Sequence, residues 1–218
     1  MSTKIYLSID DGHPLDLKTA EILVKRNLKA IFYIPIKKIG SKRISNKEIK
    51  NLSPQFEIGG HTYNHIDLTK VSLTKAWKEI YDGKRALEDI LGRKIHSFVF
   101  PYGHYNSQLI GLVKKSGFKN CRSGRIINFH EFNDDNFLQH PNFQIYPHKL
   151  ITDVEHCLKM FDYYSLYRRL EHIKFEHLNL LKYLFFNKKI HLWFHSKDIE
   201  DYNLWEVLKS NKLLNENS

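Results

Sequence analysis

The 218-residue chain carries 34 Lys and Arg against 24 Asp and Glu, a formal net charge of +10, with 42% hydrophobic residues and two cysteines. That is chain enough for one sizeable core, while the lack of any apolar run near ~18 residues excludes a membrane-spanning helix. Two cysteines exclude a disulfide framework and a zinc-thiolate centre, and basic residues spread evenly along the chain read as a solvated surface, not a nucleic-acid face.

The first element is a β-branched, apolar run from Lys4 to Ile9, a buried strand that ends in Asp10-Asp11-Gly12. Asp16–Asn27 has helical apolar spacing, with Asp16 expected as its N-cap. A second strand (Ala30–Ile36), a short helix (Asn46–Leu52) and a third strand (Phe56–Gly59) follow. The third strand leads into Gly59-Gly60-His61-Thr62-Tyr63-Asn64-His65, where the glycines are expected to let the backbone turn and to leave room above a site. Ser72–Leu91 is a long amphipathic helix closed by Gly92, Ile95–Phe100 a fourth strand, Asn106–Ser116 a helix and Phe118–Arg122 a fifth strand.

From 124 to 147 the pattern weakens to long polar loops around short strands. Residues 152–186 read as one or two basic, aromatic amphipathic helices, packed on the domain or lying against an anionic membrane surface. Lys189–His195 is the last strand, a helix follows around Leu204–Lys209, and the final eight residues are expected to fray. Strands alternating with helices argue for one domain over residues 1–218, built on a parallel sheet or barrel with functional groups at the carboxyl ends of its strands.

Four polar clusters stand at four strand ends, and the second is the most informative. His61 and His65 are four apart, so on a helical turn their imidazoles share a face; they are either surface histidines or a pair of metal ligands. Asp11 supplies the carboxylate of a three-ligand site with open positions, the arrangement of a catalytic metal. The histidines put zinc first, and cobalt, nickel and iron fit the same ligand types. On the last strand, side-chain alternation puts His191, Trp193 and His195 on one face, His195 at the carboxyl end and His191 lower, as a hydrogen-bonded core histidine. Trp193 is either a wall beside His195 or core. His13 and His104 adjoin the first and third motifs and are either surface residues or groups that reach a substrate.

The ordered set resembles the polysaccharide deacetylases of the NodB-homology group, carbohydrate esterase family 4. Their Thr-Phe-Asp-Asp-Gly motif is matched by Ser8-Ile9-Asp10-Asp11-Gly12, and His-Ser/Thr-x-x-His by His61-Thr62-Tyr63-Asn64-His65. Their Pro-Tyr-Gly ending is matched by Pro101-Tyr102-Gly103, and Leu-x-His is approximated by Trp193-Phe194-His195. The resemblance implies a distorted (β/α)7 barrel and metal-dependent removal of an N-acyl group from a sugar. In that scheme Asp10 is the general base, Asp11, His61 and His65 hold the metal, His195 is the general acid, and the Tyr102 backbone N–H assists at the oxyanion.

Two departures stand out. The third motif normally begins with an arginine two residues before the proline; Val99 stands there, and Arg122 is either its replacement or a surface residue near a turn. Asp134-Asp135 lies where a fourth motif, Asp-x-x-Asp-Trp, is expected but lacks the tryptophan, so no partner for His195 is legible. The alternative is a catalytically inactive carbohydrate-binding protein of the same fold. The N-terminus has no signal-peptide pattern, which places the expected activity in the cytoplasm, peripheral to the inner membrane face. The expected substrate is then a lipid- or nucleotide-linked precursor of capsule, O-antigen or lipopolysaccharide.

Overall fold

The computed structural model describes residues 4–37, 42–145, 155, 157–160, 162 and 189–209. The amphipathic segment 152–186, apart from those few positions, and the tail 211–218 lie outside the described residues. Eight strands form one sheet: β1 (Lys4–Asp10), β2 (Ile31–Ile34), β3 (Glu57–Gly60), β4 (Ser97–Val99), β5 (Asn120–Arg122), β6 (Leu138–Gln139), β7 (Phe143–Gln144) and β8 (Lys189–His195). The order is β6-β5-β4-β3-β2-β1-β8-β7 and every ladder between these strands is parallel.

That order has a geometric consequence. β6 and β7 are the two edges of the sheet, yet only His140, Pro141 and Asn142 separate them in the chain. Four residue steps reach at most about 14 Å, so the sheet curls until its edges nearly meet. The segment after β5 helps to close the seam, since Ile127 bridges Phe143 in antiparallel sense and the Asn128 N–H donates to Asn142 O at 2.6 Å. The expected barrel is therefore present as a curled parallel half-barrel with eight strands, two of them only two residues long.

Helices α1 (Asp16–Lys25), α2 (Asn46–Leu52), α3 (Leu73–Leu91) and α4 (Ser107–Lys115) follow β1 to β4, and α5 (Ser196–Asp201) and α6 (Trp205–Lys209) follow β8. Their starts follow local chemistry. Ser45 and Glu48 form a capping box on α2, Ser72 caps α3 through the Lys75 N–H, and Asn106 caps α4 through the Leu109 N–H. Gly92 ends α3 at φ 67°, the left-handed conformation that glycine adopts without strain.

Asp16 is not the cap expected from sequence. Leu15 holds that position without a side-chain bond, because the Asp16 and Leu17 N–H groups already donate to the carbonyls of His13 and Pro14. Asp16 is instead fully buried, and desolvation pushes its carboxyl well above the usual value. Gly59 lies within β3 as expected and Gly60 extends the strand by one residue, while the left-handed turns come later, at Thr62 and His65. A Cβ on Gly59 would come within 2.4 Å of the Tyr33 ring, and one on Gly60 within 2.8 Å of Phe118. Their lack of a side chain makes room for packed rings. Among the described residues no helix is long and apolar enough to cross a membrane.

Candidate active site

The carboxyl ends of β1, β3, β4 and β8 open onto one half-open cavity of about 940 Å³. Asp10, Asp11, His61, His65, Tyr102 and His195 all line it. The ladder fixes their neighbourhood, since Asp10 is paired with Tyr33 on one side and His195 on the other.

Asp11 leaves β1 at φ 84°, a left-handed conformation uncommon for a non-glycine residue, and its side chain turns across the barrel mouth. Its Oδ1 lies 3.3 Å from His61 Nε2 and 2.9 Å from His65 Nε2, and one ligand atom from each of the three residues falls within 4.8 Å of the others. The two imidazoles meet edge to face, centroids 4.6 Å apart. No helix brings them together: residues 61–67 are irregular, and Thr62 at φ 67° and His65 at φ 56° fold the segment back. The four-residue spacing succeeds through a tight loop, not through a helical face.

The donor set fits a divalent cation. His61 Nδ1 donates to Val99 O at 2.9 Å, which leaves Nε2 facing the Asp11 carboxylate, where the two atoms are placed to share a proton or a cation. Burial opposes ionisation of Asp11, but His61 and His65, with the charge of His195, outweigh it and hold the carboxyl well below the usual range.

Beside this cluster, Arg122 Nη2 donates to both oxygens of Asp10 at 2.5 Å, and Nη1 donates to Ser123 O at 2.8 Å. The guanidinium is fully buried between the rings of Tyr33 and Trp193, 5.3 and 4.9 Å from their centroids. The β4–β5 register pairs Arg122 with Val99. An arginine absent from one strand is thus supplied by the cross-strand neighbour at the same level.

His195 closes β8 and is the N-cap of α5. Its Nε2 is 3.8 Å from Asp11 Oδ2, while its Nδ1 bonds Asp198 Oδ2 at 2.8 Å. Asp198 also accepts from Gln144 Nε2 at 3.2 Å. Burial alone lowers the affinity of His195 for its proton, yet the Asp198 bond, Asp11 and Asp10 together raise its pKa above the usual value. Asp198 is the partner that sequence reasoning missed; its signal was a carboxylate three residues after the histidine, where the first helical turn brings it back. Asp134 does not serve here. It bonds Tyr6 and Lys189 at the opposite, amino end of β1 and β8.

Trp193 separates Arg122 from His195, its ring 5.4 Å from the imidazole and its Nε1 donating to Arg125 O at 2.7 Å, so it is a cavity wall. Tyr102, 63% exposed at φ 59°, covers His65 with ring centroids 5.2 Å apart. Its turn packs tightly on the segment after β5, since a Cβ on Gly103 would lie 2.7 Å from Gly124 Cα. His104 is on the cavity rim, bonded to Asp67 at 2.8 Å, whereas His13 is not among the lining residues. His191 is buried below, 2.9 Å from Ser8 Oγ, and its imidazole is held well below the usual pKa by burial first and by Arg122 second.

The chain is similar to known proteins by family model, by sequence and by fold. The family model described as polysaccharide deacetylase matches residues 2–121. A chitooligosaccharide deacetylase of Azorhizobium caulinodans is 31% identical over 125 residues, 54% of this chain and 56% of that protein, so the chain spans little over half the length of that relative. Among solved structures, Streptococcus pyogenes deacetylase PplD in complex with acetate superposes with a TM-score of 0.57 at 20% identity, over 64% of this chain and 63% of that one. A carbohydrate esterase family 4 pseudoenzyme from Bacillus anthracis gives 0.54 at 15% identity, over 97% and 62%. At these identities the two structures speak for the fold.

Proposed function

The chain belongs to the polysaccharide deacetylase family, and on that premise we propose that it is a divalent-metal-dependent hydrolase that removes the N-acetyl group of an N-acylated sugar. The observation that carries the reading is the meeting of Asp11, His61 and His65 beside an arginine-held carboxylate and a carboxylate-held imidazole. The three ligands would hold zinc by preference, and when bound the cation supplies Lewis acidity toward water and the amide carbonyl.

The remaining steps are the work of the chain's own side chains. Asp10 takes a proton from the attacking water, and Arg122 fixes the orientation of that carboxylate. His195 gives its Nε2 proton to the departing nitrogen as the C–N bond breaks, leaving acetate and a free amine. Asp198 keeps the second proton on Nδ1, so that Nε2 is the atom presented to the substrate. Trp193 and Ile126 form an apolar wall of the cavity. The substrate is a chitooligosaccharide-like glycan or a carrier-linked amino sugar of a surface polysaccharide, met in the cytoplasm at the membrane face.

The test is acetate release from a panel of N-acetylated oligosaccharides and carrier-linked sugars, by metal-replete protein whose ion is identified by elemental analysis. Release that a chelator abolishes, and that Asp10→Asn lowers by at least ~10²-fold, is the expected result. No release from the whole panel by stoichiometrically loaded protein overturns it. That outcome would support the second reading, a sugar-binding protein of the same fold without turnover.

A further inference from the structure

The two histidines stand on a seven-residue irregular segment, with left-handed residues at Thr62 and His65, so something outside it must hold its shape. Helix α3 does so at one point. Glu79, only 2% exposed, accepts the Asn64 backbone N–H on Oε2 at 2.8 Å and the Asn64 side-chain amide on Oε1 at 2.7 Å. Its backbone carbonyl accepts the Tyr63 N–H at 2.9 Å. One turn further on, Gly83 brings the helix backbone against the loop, where a Cβ would come within 2.7 Å of Thr62 C. Three of the donors between the two imidazoles therefore end on a single residue of α3.

From this geometry we propose that Glu79 is a positioning residue for the metal centre: its two hydrogen bonds to Asn64 hold the loop in the shape that presents His61 and His65 to one cation. The inference rests on the metal-site reading above. Among the described residues the buried Glu79 carboxylate, which does not line the cavity, meets the Asn64 amides of the loop and the Lys75 ammonium at 3.2 Å. Without Glu79, the Asn64 N–H would be left to water and the loop freed to separate the imidazoles.

Zinc affinity of the full chain, measured by chelator competition on folded protein, tests it. Wild type is expected to bind one ion, and Glu79→Ala to bind it at least ~10-fold more weakly. Glu79→Gln is expected to stay within about threefold of wild type, since a glutamine oxygen accepts the backbone N–H and its amide meets Asn64 turned over. Ile80→Val, which loosens the same helix without touching the loop, should leave the affinity unchanged. If Glu79→Ala does not fold, Asn64→Ala decides: weaker binding supports the proposal and unaltered binding overturns it. Wild-type affinity in Glu79→Ala, or a Gln variant as weak as the Ala variant, overturns the role of the hydrogen bonds alone. A wild-type protein that binds no ion overturns the metal reading itself, and the role of Glu79 with it.

Discussion

Arg122 and Asp198 make the contacts to Asp10 and His195 that motif order leaves open. Each substitutes by proximity, one across a ladder and one along a helical turn, for a group expected elsewhere in the chain. The motif residues Asp10, Asp11, His61, His65 and His195 were all legible, because a strand end followed by donors is a local pattern. Arg122 was legible only as an alternative, since the register that pairs it with Val99 is not written in either segment alone. Asp198 was missed because the sequence pattern placed no helix directly after His195, whereas α5 begins there. Its consequence is a pH profile. A general acid works while protonated, so activity falls as pH rises through the His195 pKa. Asp198 raises that pKa, hence Asp198→Asn should move the alkaline limb of kcat/KM to lower pH and lower its plateau. An unmoved limb would mean that another group supplies the proton.

At the scale of elements, the strands and helices came out near their expected positions because hydrophobic period and cap chemistry are local. β3 illustrates where local reading fails. Its two glycines read as freedom for the backbone to turn, yet they accept the Tyr33 and Phe118 rings from neighbouring elements, a long-range demand that mimics a short-range one. Tyr33 in turn lies over the Arg122 guanidinium. Gly59→Ala should therefore force the tyrosine ring aside and lower the thermal midpoint by roughly 3–10 °C, the effect of an overpacked core site in a chain of this length. Calorimetry checks it, and a midpoint within 1–2 °C of wild type would show that the ring has space to move. Likewise the His61–His65 spacing suggested a helix, and the loop that replaces it is shaped from α3, fourteen residues beyond His65.

The whole molecule depends on the seam between β6 and β7, which sequence periodicity does not display because two-residue strands have no period to read. At this seam sits His140, bonded to Ser123 at 2.8 Å, with its pKa lowered to about 4 by burial first and by the Arg125 charge second. The unfolded chain takes up this proton near pH 6.5, well before the folded one does. The contribution of His140 is therefore fully present above about 6.5 and is lost as pH falls toward 4, on the order of 3 kcal/mol. Denaturant titrations across that window should show the slope, reduced in His140→Gln; Asp67 and Asp134, whose carboxyls are held at about 2, act only below it. An identical slope in the variant would assign the effect to His191, which burial shifts in the same direction.

The placing of β1 between β2 and β8 has an effect during synthesis. The strand that ends in Asp10 is translated before the other strands of the sheet, and it waits for its second neighbour while the chain between Asp10 and Lys189 is made. Until then one flank of it is open to any passing extended peptide, so chaperone holding, or slow translation that gives the earlier βα units time to settle, is worth most to this strand.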